Sequence, residues 1–325
     1  MRKFRKTAHG AALLALALFI GACGSGVGGD DDDAGGGGNG GDGGGEPVAS
    51  QLTLGGPPEC PERPFCIPGL EETYGIEFGD FKPLDVAGPL TIDALESGEI
   101  DVALLFSTQS VIADRGWVSL EDDKGLQTAE NITPVLSHSV HDATIEGLLN
   151  QISGALTTEN ITELNGRVEI DGEEAADVAA DFLESEGISG EGESGSGKIT
   201  VGAVAFAENQ IVAEMYAQVL EQAGYSVKRQ LDIGQREILQ PALESGEIHV
   251  APEYLGSLLL FLDPDAEASG DPQANADLLT PLLDQKGIAL LEYSQANDTN
   301  AFVVTQETAD QFGLQSVSDL AASES

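Results

Sequence analysis

Residues 238–260 read ILQPALESGEIHVAPEYLGSLLL, and the turn, short apolar run and second apolar run within them decide the fold class. Glu244-Ser245-Gly246-Glu247 is a turn signal, Ile248, Val250 and Ala251 make a short buried strand, Pro252 interrupts it, and a helical apolar run begins at Leu255. The pattern predicts strand, break, helix, with Pro252 in the first helical position, where its missing N–H costs little. The free N–H groups of such a first turn attract an anion or a carboxylate. Tyr254 and Ser257 then sit at the carboxyl end of a strand, where open α/β sheets hold their ligands.

The heptapeptide ALESGEI at residues 242–248 also stands at residues 94–100, and each copy is followed by a short apolar strand, residues 102–106 in one case and 250–251 in the other. Two related α/β lobes account for the echo. Further strands are expected at residues 52–54, 81–86, 117–120, 198–204, 225–231, 288–293 and 301–305. Helices fall between them, with 209–223 the clearest amphipathic one and 158–164 expected to stop at Gly166. After the acidic turn Glu121-Asp122-Asp123 the pattern leads to three helices in a row. A short helix near 317–321 ends the chain.

The 325 residues are enough for one large or two modest domains. Residues 1–22 have the form of an export leader: Arg2, Lys3, Arg5 and Lys6, an apolar run at 11–20, then Gly21-Ala22 before Cys23. The run is too short to cross a bilayer as a helix. Small residues before a cysteine resemble a bacterial lipobox, so Cys23 is expected to carry the lipid that anchors the protein to the membrane outside the cytoplasm. Residues 23–48, rich in Gly and Asp, cannot build a core and read as a tether. SGEGESGSG at 189–197 reads as a linker between segments 49–188 and 198–325. With 56 acidic against 14 basic residues and a formal charge of −42, nucleic acid is excluded as a partner. Once Cys23 is assigned to lipid, Cys60 and Cys66 remain as an even pair in an oxidising compartment, expected to close the loop ECPERPFC as a disulfide. They have too few companion ligands for a metal, and no cofactor is expected.

ITVGAVAFAEN, GQREILQPALESGEI, PEYLGS, NAFVVT, LTLGGPPECPERPFCIPGLEETYGIEF, ALESGEIDVALLFST and LEDDKG together resemble the substrate-binding lipoproteins of osmoprotectant ABC importers. In that family the piece beginning KITVG comes first and the piece beginning QLTLGG follows the SDLA helix. Here the order is reversed, so the chain resembles a circular permutant, with a truncated tandem array as the alternative. The resemblance implies a two-lobed α/β fold, the periplasmic-binding-protein fold of type II in permuted order, closing about a hinge. It also implies capture of a quaternary ammonium (choline, glycine betaine or carnitine) for delivery to an ABC transporter permease, by a protein expected to be a monomer.

Such a headgroup donates no hydrogen bond and is held by aromatic faces and diffuse negative charge. Carried over by motif, Tyr254, Phe302 and Phe106 fall on cage positions, and Ser257, Asn209 and Arg63 fall where the ligand's polar end is met. Thr108 lies beside the cage in the tip Ser107-Thr108-Gln109. Phe replaces the usual Tyr at two cage positions, Val204 replaces a frequent Lys, and Glu130 stands at a later cage Tyr. A lost cation and a gained acid favour choline over a zwitterion. Phe106 and Phe302 fit a lobe core as well as a cage, and Arg63 fits a loop lock. A sensory or scavenging lipoprotein for another small ligand is the alternative binding function. A hydrolase has only the His138, His141 and Asp142 cluster near Ser137 and Ser139 in its favour, without a nucleophile elbow or HExxH, and is not expected.

Overall fold

A computed structural model describes residues 46–323. The leader, Cys23 and residues 23–45 of the tether lie outside these residues. In chain order the elements are β1 (Thr53–Gly56), α1 (Ile67–Tyr74), β2 (Asp80–Pro83), α2 (Pro89–Glu96), β3 (Val102–Phe106), α3 (Val111–Asp114), β4 (Val118–Ser119), β5 (Ile132–Ser137), α4 (Ala143–Ala155), α5 (Thr158–Glu169) and α6 (Ala175–Glu186). Then follow β6 (Lys198–Gly202), α7 (Ala207–Gln222), β7 (Ser226–Gln230), α8 (Arg236–Ser245), β8 (Val250–Tyr254), α9 (Leu255–Leu262), α10 (Pro272–Asp284), β9 (Ile288–Leu290), β10 (Asn300–Val304) and α11 (Gln306–Phe312).

Two five-stranded sheets form, in the orders β2-β1-β3-β10-β4 and β7-β6-β8-β5-β9. In each, the first three strands are parallel and the fourth runs antiparallel to the third. The apolar runs VALLF of β3 and IHVA before and within β8 suit central strands covered on both faces. Core residues duly flank each sheet on two sides: Leu54, Leu104, Phe302 and Val304 opposite Leu95, Leu105 and Val303 in the first lobe, and Val201, Ile211 and Tyr216 opposite Leu243, Leu255 and Leu279 in the second. Both ALESGEI copies occupy the junction from helix to strand, with Gly98 and Gly246 in the left-handed conformation (φ 70° and 74°) that glycine adopts freely.

The fourth strand of each sheet comes from the other part of the chain. β10 joins β1–β4, and β5 joins β6–β9. The chain therefore passes between lobes twice, over residues 120–131 and 291–299, and the two passages pair at Asn131 and Asn297. This is the two-lobed type II arrangement that the resemblance implies.

Sequence reading missed β5, because Pro134 sits in its centre and proline ordinarily marks an edge. Opposite Pro252 neither proline is called on to donate, since the hydrogen-bonded pairs of β5 and β8 fall at the alternate positions, where Ser137 N–H reaches His249 O and Leu255 N–H reaches Asn131 O. On the other edge Leu291 N–H donates to Pro134 O, and the return bond that Pro134 cannot make is supplied by the Thr133 hydroxyl, 3.3 Å from Leu291 O. α5 also runs past Gly166, where a stop was expected. A side chain there would begin 3.3 Å from Ser110 Cβ, so the glycine serves close approach between lobes.

Cys60 and Cys66 are joined as a disulfide with Cα atoms 5.3 Å apart. The 189–197 segment lies along the end of α7, with Gly195 N–H donating to Ala223 O and Ser189 Oγ 2.9 Å from Gln222 Oε1. At the other pole Val48 N–H donates to Ala322 O at 2.9 Å, and Pro47 bridges to Ser323.

Candidate functional site

The β8–α9 junction builds one wall. The strand does not stop at Pro252; it runs to Tyr254, and α9 begins at Leu255, so Pro252 is not the first helical residue. The expected free helix N-terminus is also filled. Leu255 N–H donates to Asn131 O, Gly256 N–H to Ala129 O, and Ser257 N–H to a Glu130 carboxylate oxygen at 2.9 Å. The passage between lobes has laid its own carboxylate where a ligand carboxylate was expected. Burial pushes the Glu130 carboxyl up to about 7, against the pull of the Ser257 N–H and of Arg236.

Arg236, in the first turn of α8, grips buried Glu253 with Nε at 3.1 Å from both oxygens and Nη2 at 2.7 Å, and donates from Nη2 to Ser257 Oγ at 2.9 Å. Ser257 is thus spoken for at both its N–H and its hydroxyl. Asn209 is likewise committed: its Oδ1 accepts from Val204 N–H at 2.9 Å and its Nδ2 donates to Pro252 O at 3.1 Å, tying the β6–α7 turn to β8.

Tyr254 is buried, its ring stacked on Phe206 with centroids 6.0 Å apart, and its hydroxyl donates to Glu208 Oε1 at 2.8 Å. Phe206 is 39% exposed and is the aromatic that the site offers to solvent. Burial raises the Tyr254 phenol and the Glu208 carboxyl; Glu208 is held by Thr108, Tyr254 and Asn165. Asp298, from the second passage, is raised by burial and then by the charge of Glu208, while Thr108 N–H donates to its Oδ1 at 3.3 Å. Three carboxylates, Glu130, Glu208 and Asp298, therefore converge behind the aromatic pair, and their mutual repulsion is relieved by a proton or a cation.

The first lobe contributes the end of β3. Phe106 and Arg63 line a cavity of about 10 Å3 with Pro57, Val86, Ala87 and Asn300, close to the space of one water. Gln109 closes the strand end, accepting from Phe106 N–H at 3.0 Å and donating to Ala87 O at 2.9 Å. Phe302 lies elsewhere: 2% exposed, it packs with Leu54, Leu104 and Val304 inside the first lobe, the core reading of that residue. The structure therefore gathers Tyr254, Ser257, Glu130 and Thr108 about one region, sets Phe106 and Arg63 on a small first-lobe cavity whose lining includes none of those four, and leaves Phe302 in a core. Phe206, Glu208, Arg236 and Asp298 were not singled out in the sequence. The signal for Glu208 was present, since it adjoins Asn209 in the same turn.

The histidine cluster has structural partners. His141 meets Glu146 at 2.9 Å, His138 meets Asp284 at 3.5 Å, and Asp142 caps α4 while accepting from Tyr225 at 2.7 Å. Among the described residues no helix is long and apolar enough to cross a membrane.

The family described as the substrate binding domain of ABC-type glycine betaine transport system matches residues 45–185 and 197–325. The glycine-betaine-binding protein of Pseudomonas aeruginosa is 32% identical over 123 residues, covering 38% of this chain and 39% of that protein. The glycine betaine-binding protein YehZ of Escherichia coli is 28% identical over 133 residues, 39% of this chain and 44% of that protein. The chain thus spans about two fifths of the length of the curated relatives it matches. Among solved structures, the periplasmic aliphatic sulphonate binding protein SsuA of Escherichia coli aligns with a TM-score of 0.37 and 13% identity over 81% of this chain and 64% of that one.

Proposed function

We propose a function from one premise: this chain belongs to the family of substrate binding domains of ABC-type glycine betaine transport systems. It is a binding protein, not an enzyme, and serves solute uptake through an ABC importer. Within that class we read it as a receptor for a quaternary ammonium headgroup whose ligand carries no carboxylate, with choline ahead of glycine betaine and carnitine. The headgroup rests against Tyr254 and Phe206, with Phe106 and Arg63 opposite and Glu130, Glu208 and Asp298 as its counter-charge. The observation that carries this is the Glu130 carboxylate at the α9 N-terminus. It occupies the anion position and, once ionised, repels a second carboxylate while attracting a cation.

The halves 49–188 and 198–325 read as the family's second and first halves, joined in permuted order. In support, the family match falls in two segments separated by residues 186–196, each relative aligns over 123 or 133 residues, and Val48 and Ala322 are hydrogen-bonded neighbours. Export, acylation at Cys23 and a monomeric state complete the proposal, with sedimentation and mass spectrometry of the membrane-extracted protein as their checks. Calorimetry against choline, glycine betaine, carnitine and proline tests the ligand. Choline is expected to bind most tightly and proline not at all. Heat from glycine betaine equal to or stronger than choline removes the role given to Glu130, and silence from all three quaternary ammonium compounds removes the function.

A further inference from the structure

We propose that α5 is the latch of the closed cleft, with Asn165 and Glu169 as positioning residues that set how long a bound headgroup is retained without touching it. The inference rests on the binding function above and adds to it residues that belong to neither wall of the cage. Outside the two passages of chain, the tip after β3 brings the first lobe onto α5 of the second. Asn165 is 2% exposed and its Nδ2 donates twice, at 3.1 Å to Thr108 O of the first lobe and at 3.1 Å to Glu208 Oε2 of the second. Its Oδ1 is buried without a partner. The amide is therefore present for its donors, and the two acceptors fix its orientation, since the flipped amide would face oxygen with oxygen.

One helical turn further on, at the exposed rim, Ser110 Oγ donates to Glu169 Oε2 at 3.0 Å. Gly166 lies between the two bonds on α5, its missing side chain letting Ser110 approach. The Asn165–Thr108 and Ser110–Glu169 bonds each join an atom of one lobe to an atom of the other, so both exist only while the lobes are closed, whereas the Asn165–Glu208 bond lies within the second lobe and holds the amide in place. Opening returns Thr108 O, the Asn165 amide and Ser110 Oγ to water. The latch is also wired to the cage. Glu208 receives the Asn165 amide on Oε2 and the Tyr254 hydroxyl on Oε1, so a ligand that settles on Tyr254 orders the acceptor that the latch needs.

The test measures closure directly. Dyes on Asp277→Cys in α10 and Asp310→Cys in α11, one exposed site per lobe, report the distance between lobes while choline or glycine betaine is mixed in by stopped flow. Asn165→Ala is expected to raise the dissociation rate about tenfold with the association rate within about twofold, because the bonds form after the ligand lands. Glu169→Ala is expected to raise it about threefold, and Glu169→Gln to restore the original rate, since the amide oxygen still accepts from Ser110. An unchanged dissociation rate in Asn165→Ala, an effect confined to association, or a Glu169→Gln protein as fast as Glu169→Ala overturns the latch. Should Asn165→Ala fail to fold, the two Glu169 variants decide alone. If neither probe binds the unsubstituted protein, the functional reading fails. The ligand-free distance distribution then decides the latch, which requires the Asn165→Ala protein to shift toward the open separation and is overturned if it does not.

Discussion

The ends of β3 and β8 are the same place in the two lobes, built from different chemistry. Phe106 and Tyr254 each stand six residues after the last Ile of an ALESGEI copy, at the final position of the third strand of their sheet. Before Phe106 comes Leu105, fully buried with Ala94 and Ile112; before Tyr254 comes Glu253, equally buried but gripped by Arg236. After Phe106 the chain forms the polar tip that reaches α5, and after Tyr254 a helix begins at once. One backbone template has thus been divided between tasks, with fixed charge concentrated in the second lobe and contact across the cleft given to the first.

The largest effect expected from this contrast is on stability. Arg236→Met leaves the Glu253 carboxylate buried alone and should cost about 3–5 kcal/mol in urea unfolding, whereas pairing it with Glu253→Leu should recover most of the loss. Leu105→Ala, the corresponding cut in the first lobe, should cost about 2–5 kcal/mol as a plain cavity. If Arg236→Met unfolds like the native protein, the second lobe does not depend on its charged pair. Next comes the aromatic contrast. Tyr254→Ala should weaken choline binding by about 0.5–2 kcal/mol, up to roughly thirtyfold, with Phe106→Ala at the lower end because it lines a separate small cavity of the first lobe. Equal losses from both would make the two strand ends equivalent in binding.

Glu130 sharpens the comparison through pH. Burial holds its carboxyl up at about 7, and a cation bound beside it favours the ionised form. Choline affinity should therefore rise with pH from 6 to 8 and fall away as pH drops through about 7, by about tenfold if binding moves the carboxyl by one unit. Glu130→Gln should flatten that profile. For the empty protein the sign is opposite: the folded carboxyl holds its proton more tightly than the unfolded one, whose ordinary value is 4.5, so this group's contribution is full below that value and is lost as pH rises through about 7. The smallest effects belong to the strand-end clips. Gln109→Ala removes two hydrogen bonds and Ser257→Ala one, each bond worth about 0.5–1.5 kcal/mol, so thermal melts should rank the first lobe's clip above the second's.

Most of the lobe architecture was legible because it is written in local patterns. The repeated ALESGEI, the apolar run of β3 and the amphipathic stripe of α7 each identify an element without reference to distant residues. What was not legible depends on distant partners. β5 carries a proline that only a facing proline and the Thr133 hydroxyl make tolerable. The α9 N-terminus looked open because its three acceptors, Ala129, Glu130 and Asn131, lie far away in sequence. Phe302 and Phe106 share a residue type, and position along the sheet separates them: Phe302 lies mid-strand beside Leu104 in the core, whereas Phe106 ends its strand and lines a cavity. Asn165 offered no signal at all: an Asn inside a helix is ordinarily a solvent residue, and its partners belong to the other lobe and to α7.

The exchange of fourth strands has a consequence for the order in which the molecule can come into being. During synthesis, β1 to β4 emerge first but cannot finish their sheet, because β10 follows every other strand among the described residues. The second lobe has no such wait: β5 is already out when β6, β7 and β8 arrive, and β9 follows soon after. The part of the chain made first should be the last to become native, since contacts so distant in sequence close slowly. Pulse-labelled hydrogen exchange during refolding should protect β6 and β8 before β1 and β3, and simultaneous protection of all four would show that the late arrival of β10 sets no order.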